Sequence, residues 1–294
     1  MNFRSGFIAI VGPPNVGKST LLNRLLGAKV AIVSPRPQTT RTRILGIYNE
    51  PECQIVFIDT PGIHQSHTPL HRSMVASAEA TIAEVDLVLM MIELPRPEGP
   101  EIELVMKNLQ KAQKPVLLII NKMDCGAKEA LLPIIAAFQE RYPFEAIIPA
   151  SVRQGEGIEP ILSAIKDKIK PGPAFYPTDM RTDQSDSFLI AEIIREKIYL
   201  LTKKELPYAC AVTIAQVQES ADKKLLHISA EIHVERDSQR AILIGRQGTM
   251  IKEIGRAARL ELEKILGIKI YLESRVRVEK KWSRDPKSLR KMGY

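Results

Sequence analysis

Only three cysteines, Cys53, Cys125 and Cys210, occur in 294 residues, and they stand far apart. That spacing supplies neither a disulfide framework nor the paired ligands of a metal site, so a reducing cytosol is the simple expectation. No apolar run approaches the roughly 20 residues that cross a bilayer. The opening Met1-Asn2-Phe3-Arg4-Ser5-Gly6 runs straight into a short apolar strand. The expectation is a protein neither secreted nor membrane-spanning, with peripheral association left open. Internal repeats and low-complexity tracts are also missing, which sets aside repeat architectures and disorder.

Hydrophobic residues make up 45% and charged residues 26% of the chain, as in ordinary soluble domains, so both halves should fold. The length suits two domains. The formal charge of +8 is unevenly placed: residues 1–170 carry a net +2 and residues 171–294 a net +6. From Arg240 onward, 15 basic side chains face 6 acidic ones. Such a gathered excess suits nucleic acid or an acidic membrane surface, although a solvated face gives the same excess.

From Phe7 to about Lys170, short β-rich runs alternate with segments of helical period, the pattern of an α/β domain with a mostly parallel sheet and crossover helices. Strands are expected near Phe7–Val11, Leu45–Tyr48, Gln54–Ile58, Leu87–Ile92, Val116–Ile120 and Ala146–Pro149. Lys170-Pro171-Gly172-Pro173-Ala174-Phe175-Tyr176-Pro177 then breaks every period, which marks a linker. Beyond it the order becomes helix, two strands, a long helix over Thr249–Leu266 and a last strand over Lys269–Val278, a smaller α+β domain. The expected division is 1–170, a linker 171–185, a second domain 186–280 and a basic tail 281–294.

Gly12-Pro13-Pro14-Asn15-Val16-Gly17-Lys18-Ser19 satisfies G-x-x-x-x-G-K-[ST] between a buried strand and a helix start, with Thr20 following. A glycine turn there lets backbone N–H groups wrap phosphates, Lys18 reach the β and γ oxygens and the Ser19 hydroxyl ligate Mg²⁺. Asp59-Thr60-Pro61-Gly62 closes the third strand, where Asp59 can meet the same ion and the Gly62 amide the γ-phosphate. Asn121-Lys122-Met123-Asp124 ends the Val116–Ile120 strand. An acidic acceptor at Asp124 can take two hydrogen bonds from guanine, whereas adenine has no donor pair there, so GTP and GDP are favoured over ATP. Ala150-Ser151-Val152 is placed to offer backbone N–H groups to guanine O6. In the polar loop Ser34–Thr42, Thr40 is the first candidate and Thr39 the second for reaching Mg²⁺ and γ-phosphate. Lys18, Thr40 and Gly62 are the candidates for catalysis.

These stations in order resemble the translation-factor-related GTPases, and further segments narrow the resemblance to the Era family. The segments are Gly12 to Ser19, Pro37-Gln38-Thr39-Thr40-Arg41, Asp59-Thr60-Pro61-Gly62-Ile63, and the tail from Tyr271-Leu272-Glu273 through Lys281-Trp282 to Lys291-Met292-Gly293-Tyr294. The resemblance implies GTP hydrolysis with Mg²⁺ and a C-terminal type II KH domain. It also implies that this domain binds small-subunit ribosomal RNA near its 3′ end and assists small-subunit maturation. The expected state is a cytoplasmic monomer, with the inner face of the cell membrane as a further candidate site of peripheral binding. Val152 departs from the family's usual alanine. Ile63 stands where many GTPases carry a water-orienting glutamine, so slow intrinsic hydrolysis is expected. Asn15 is a candidate potassium ligand, because in related families an asparagine here helps hold that ion. His64, His67 and His71 have helical offsets, but Pro69 between them argues against a metal site.

Gly245-Arg246-Gln247-Gly248 has the G-x-x-G form that clamps about four nucleotides in KH domains. It follows the apolar run Ala241–Ile244 and opens a helix bearing Lys252 and Arg256, so these six residues from Gly245 to Gly248 with Lys252 and Arg256 are the RNA-binding candidates. Basic residues from Arg275 to Lys291 could contact phosphate, while Trp282 suits packing at the core edge. Two other readings stand beside a GTP-driven RNA switch: a nucleotide-regulated RNA chaperone with incidental hydrolysis, and a peripheral membrane GTPase using the basic tail.

Overall fold

The computed structural model describes residues 3–62 and 69–294, which divide into two compact units. Among the described residues, the first runs to Asp183 apart from Ile32–Thr39 and Pro69–Leu70; the second holds Gln184–Tyr294 together with those two segments.

In the first unit, strand β1 (Arg4–Val11) leads into helix α1 (Lys18–Leu26). Strands β2 (Ile44–Glu50) and β3 (Cys53–Asp59) follow, then α2 (Pro69–Glu84) and β4 (Leu87–Glu93). The chain continues through α3 (Pro100–Ala112), β5 (Val116–Asn121), α4 (Leu131–Arg141), β6 (Ala146–Pro149), α5 (Ile158–Lys168) and the short β7 (Lys170–Pro171). The sheet order is β2-β3-β1-β4-β5-β6, with β7 antiparallel against β1. Strands β1, β3, β4 and β5 read as continuous apolar runs because both faces of a parallel sheet are covered by helices. All of β3 is buried, as are Leu87–Ile92.

Strand β2 is the exception to parallel pairing. It joins β3 through Pro51 and Glu52 alone, and so short a connection permits only an antiparallel return. The proline-rich segment expected as a linker does not leave the first unit at once. Gln54 accepts from the N–H groups of Phe175 and Tyr176 at 2.7 and 2.9 Å, and Thr182 donates to the Leu45 carbonyl at 2.7 Å. The chain therefore stays beside β2 and β3 until Asp183.

In the second unit, α6 (Asp186–Leu201) starts where the Ser185 hydroxyl accepts from Phe188 N–H, a side-chain N-cap. Strands β8 (Ala211–Glu219) and β9 (Leu225–Val234) form an antiparallel pair. Helices α7 (Asp237–Ile244) and α8 (Thr249–Leu266) cross over to β10 (Lys269–Val278), which pairs parallel to β9. The sheet order is β10-β9-β8. Ile193, Ile198, Ile232, Leu243, Ile254 and Leu262 meet in one core.

Two features depart from expectation. The apolar run Ala241–Ile244 is the end of helix α7, in which Leu243 is buried and Ile242 exposed. Gln239 starts that helix by accepting from the N–H groups of Glu235 and Arg236. The basic tail is folded: it ends in α9 (Pro286–Lys291), and Leu289 and Met292 are buried. Trp282 is fully buried, and its indole N–H donates to the Ala209 carbonyl at 3.2 Å.

Trp282 is the single tryptophan, so its emission reports on the second unit. Leu262→Ala should lower the denaturant midpoint of that emission by an amount equivalent to about 2–5 kcal/mol, because it empties a fully buried position. An unmoved midpoint would contradict this packing.

Candidate functional site

The parallel register brings the candidate nucleotide residues to one end of the sheet. Ile10 pairs with Asp59, Val11 with Met90, and Glu93 with Asn121, so the stretches beginning at Gly12, Asp59 and Asn121 lie where parallel strands end at their carboxyl sides. Gly12 has φ 151°, and a Cβ there would stand 2.5 Å from the Met91 carbonyl oxygen, so no side chain fits. Helix α1 begins after Gly17 without any side-chain cap, which leaves its first N–H groups to an anion.

Lys18 is buried and folds back over the loop, donating to the carbonyls of Gly12 and Pro13 at 3.1 and 2.9 Å. Burial pulls its pKa down to about 8, with the Asp59 charge working the other way. Asp59 is wholly buried, which raises its pKa to about 6 against the opposing effects of Lys18, Ser19 and Thr40. Its Oδ2 accepts from the Ser19 hydroxyl at 2.6 Å and the Thr40 hydroxyl at 3.3 Å, and those hydroxyls lie 2.9 Å apart. Its Oδ1 has no hydrogen-bond partner. Three hard oxygen donors so close, one with a spare buried oxygen, fit Mg²⁺, whose ~2.1 Å octahedral bonds set neighbouring ligands ~2.9 Å apart.

The switch loop divides at one peptide bond. Thr40 joins Ser19 and Asp59, whereas the Thr39 hydroxyl bonds Ser34 at 2.7 Å and donates to the Arg36 carbonyl at 2.9 Å. Within the second unit, helix α6 holds the segment ending at Thr39. Arg195 donates to the Thr39 carbonyl at 2.5 Å, Tyr199 to the Gln38 carbonyl at 3.2 Å, and Glu196 accepts from Val33 N–H at 2.9 Å. Arg36 reaches the Thr202 carbonyl. Arg195 is fully buried and doubly bonded to Glu192 at 2.6 and 2.7 Å. Sequence reasoning missed this stripe. Its signal was present as Glu192, Arg195, Glu196, Tyr199 and Thr202, spaced along one face of an otherwise isoleucine-rich helix.

Gly62 lies against the phosphate loop, for a Cβ on it would come within 2.9 Å of the Pro14 backbone. Thr60 is tied to the Ile10 carbonyl through its hydroxyl at 2.8 Å, and Pro61 is buried beside it. Val16 is buried, Thr20 half-buried, and Asn15 exposed with φ 62°. Ile63, His64 and His67 lie outside the described residues, as does the side chain of His71. Among the described residues no cluster of histidine, cysteine or carboxylates forms a metal site.

At the base end, Asn121 braces two loops rather than facing outward: it donates to the Val16 carbonyl at 2.7 Å and accepts from Val152 N–H at 3.1 Å. Asp124 is exposed, and the Ser151 hydroxyl donates to it at 2.6 Å, which holds its carboxyl below the usual range. Lys122 pairs with Glu93, and Met123 N–H donates to the Ala150 carbonyl. The N–H groups of Ala150, Ser151 and Val152, expected to reach a base, are engaged within the protein here. Those groups donate to Ile120, Glu156 and Asn121, because the loop closes on itself and on Asn121. What this loop supplies is the Ser151 hydroxyl that orients Asp124.

The G-x-x-G turn belongs to the second unit. Gly245 has φ 73°, and a Cβ there would sit 2.7–2.8 Å from Met250; Gln247 adopts φ 54° and Gly248 φ 76°. Helix α8 starts after Gly248 with no side-chain cap. Lys252, Arg256 and Arg259 follow one another on the face of α8 that borders a groove against β10. Arg246 and Gln247 are exposed at its head.

Residues 7–122 match the family model described as 50S ribosome-binding GTPase, and residues 205–283 match the KH domain model. The chain is 49% identical to the GTPase Era of Geobacter metallireducens, covering 99% of this chain and 98% of that one. The GTPase Era of Syntrophus aciditrophicus is 48% identical, with 99% and 95% covered. A crystal structure of an Aquifex aeolicus Era variant bound to GDP and aluminium fluoride superposes with TM-score 0.96 at 41% identity, covering 99% of both chains. The same values hold for an Era in complex with MgGDPNP and nucleotides 1506–1542 of 16S ribosomal RNA.

If Asp124 is the acceptor expected for guanine donors, Asp124→Asn replaces one of its two carboxylate oxygens with an amide donor. Affinity for GDP should fall by about a hundredfold or more, and xanthosine diphosphate, which has a carbonyl in place of the amine, should bind better than to the unaltered protein. Retained guanine preference in equilibrium titration would contradict the placement of Asp124.

Proposed function

The chain belongs to the Era family of GTPases, and from that premise we propose that it couples GTP hydrolysis to the grip of its KH domain on RNA. The RNA is the small-subunit ribosomal RNA near its 3′ end, and the process served is maturation of the small ribosomal subunit. The observation that carries this reading is the switch loop itself. Thr40 shares hydroxyl and carboxylate contacts with Ser19 and Asp59, while the next residue back is held by Arg195.

The residues divide the work. The loop from Gly12 to Gly17 and the first N–H groups of α1 receive the phosphates, and Lys18 exchanges its two carbonyl partners for β and γ oxygens. Ser19, Thr40 and Asp59 hold Mg²⁺, which when bound neutralises charge gathering on those oxygens. Gly62, against Pro14, brings its N–H to the γ side. Asp124, oriented by Ser151, accepts from guanine N1–H and the exocyclic amine. Loss of the γ-phosphate leaves the Thr40 hydroxyl with its contacts to Ser19 and Asp59 alone, and any displacement of Thr40 passes to Thr39 through the backbone.

In the KH domain, Gly245–Gly248 lets backbone approach backbone while Lys252 and Arg256 meet phosphates along the groove. The division into a GTPase domain to about residue 170, a linker to 185, the KH domain and the tail from 281 is part of this reading. No helix among the described residues is long and apolar enough to cross a membrane. We place the protein in the cytoplasm, with RNA favoured over anionic lipid because Lys252, Arg256 and Arg259 border a groove, a shape suited to a single strand rather than a flat headgroup layer.

Single-turnover hydrolysis tests the reading: the 3′-terminal RNA should be captured or released in step with phosphate release. RNA binding that ignores turnover would leave the nucleotide as a ligand with incidental hydrolysis. In related families an asparagine at the position of Asn15 helps hold potassium, so hydrolysis should be faster in potassium than in sodium; equal rates would remove that role. Gly248→Asp is the variant for the groove, because the space around Gly248 is open and Asp is among the few residues that visit its left-handed φ of 76°, whereas Gly245 is packed on Met250. It should abolish RNA binding and leave GDP affinity unchanged.

A further inference from the structure

The KH sheet carries a second cleft, on the face opposite its helices, that the G-x-x-G groove does not use. Strand β10 is the edge strand, and Tyr271 on it is 57% exposed. The register sets Tyr271 beside His227 and His227 beside Gln218, with Glu273, Ser229 and Gln216 forming the next row. The rings of His227 and Tyr271 lie 5.3 Å apart at 45°. Gln216 donates to Gln218 at 3.1 Å, leaving further amide donors and acceptors exposed at the cleft wall.

This composition selects a ligand. No lysine or arginine lines the cleft, so phosphate has no partner there. Its acid Glu273 is bonded by Arg275 at 2.9 and 3.1 Å, and Glu219 borders the far end. Exposed aromatic faces beside amides fit neutral, planar, hydrogen-bonding groups, as unpaired bases are. Tyr271 and Glu273 line both this cleft and the groove between α8 and β10, so the two are continuous around the edge strand.

We infer that His227 and Tyr271, with Gln216 and Gln218, form a subsite for unpaired bases of the RNA strand that leaves the α8 groove and crosses β10. The inference rests on the RNA reading of that groove. The groove orders about four nucleotides by backbone contact; the subsite then binds those that follow by stacking, which adds affinity with little dependence on salt.

The test compares a tetranucleotide with an octanucleotide that extends it, each bound to the full chain with a GTP analogue, with 2-aminopurine at each added position. The octanucleotide should bind about tenfold more tightly, with quenched 2-aminopurine emission at one or two positions. His227→Ala should erase most of that increment while leaving tetranucleotide affinity unchanged. Tyr271→Ala should erase it too, and Tyr271→Phe should restore it. Unchanged Trp282 emission in these surface variants establishes that the fold is kept. An increment that survives both alanine variants overturns the subsite, as does equal binding of the two RNAs. If neither RNA binds the unaltered protein, the groove reading fails and the subsite falls with it.

Discussion

A carboxylate with no exposed surface stands at the end of an otherwise apolar strand, and the nucleotide site is built around it. Burial alone pushes Asp59 toward its neutral form, and Lys18, Ser19 and Thr40 are drawn in to hold the charge. That requirement joins three stretches of chain: the start of α1, the end of β3 and the switch loop. It also leaves one oxygen without a partner, an arrangement unfavourable by itself and favourable once a divalent cation shares it. The destabilised site is thus a poised ligand cage.

The same constraint gives the protein its means of communication. Thr40 is bonded to both Ser19 and Asp59, and Thr39 answers to the buried Arg195. A buried guanidinium is tolerable here because Glu192 pairs with it twice and a backbone carbonyl takes a further donor. Arg195 Nη1 has no hydrogen-bond partner, so the guanidinium keeps one donor beyond those given to Glu192 and Thr39. A short, bistable segment between two such anchors is what a nucleotide-dependent switch needs.

Much of this was legible in the sequence because its physics is local. A glycine turn between a buried strand and a helix, a carboxylate ending a strand and an acid after the next strand each carry their geometry in their spacing, and so does Gly245–Gly248. What was not legible depended on partners distant in sequence. Glu192, Arg195 and Tyr199 read as ordinary helix residues until residues 33–39 are seen to cover them. Ala241–Ile244 reads only as an apolar run, and helix α7 goes unannounced, because only the tertiary setting shows that Leu243 is the one residue of the run buried in the core. Trp282 was legible as a packing residue, but the charge-rich tail hides Leu289 and Met292, whose spacing is too sparse to announce a helix.

The most direct measurement is the ratio of RNA affinities in the GTP-analogue and GDP states, compared between the unaltered chain and two variants, Tyr199→Phe and the charge-neutral pair Glu192→Gln with Arg195→Met. Coupling free energies of this kind are typically worth between about fivefold and 150-fold, and linkage requires RNA to shift nucleotide affinity by the same factor. If the link from Thr40 to α6 carries the signal, both variants bring the ratio toward one while nucleotide affinity without RNA is unchanged. A ratio that stays at its original value in both would mean the nucleotide is read by another route.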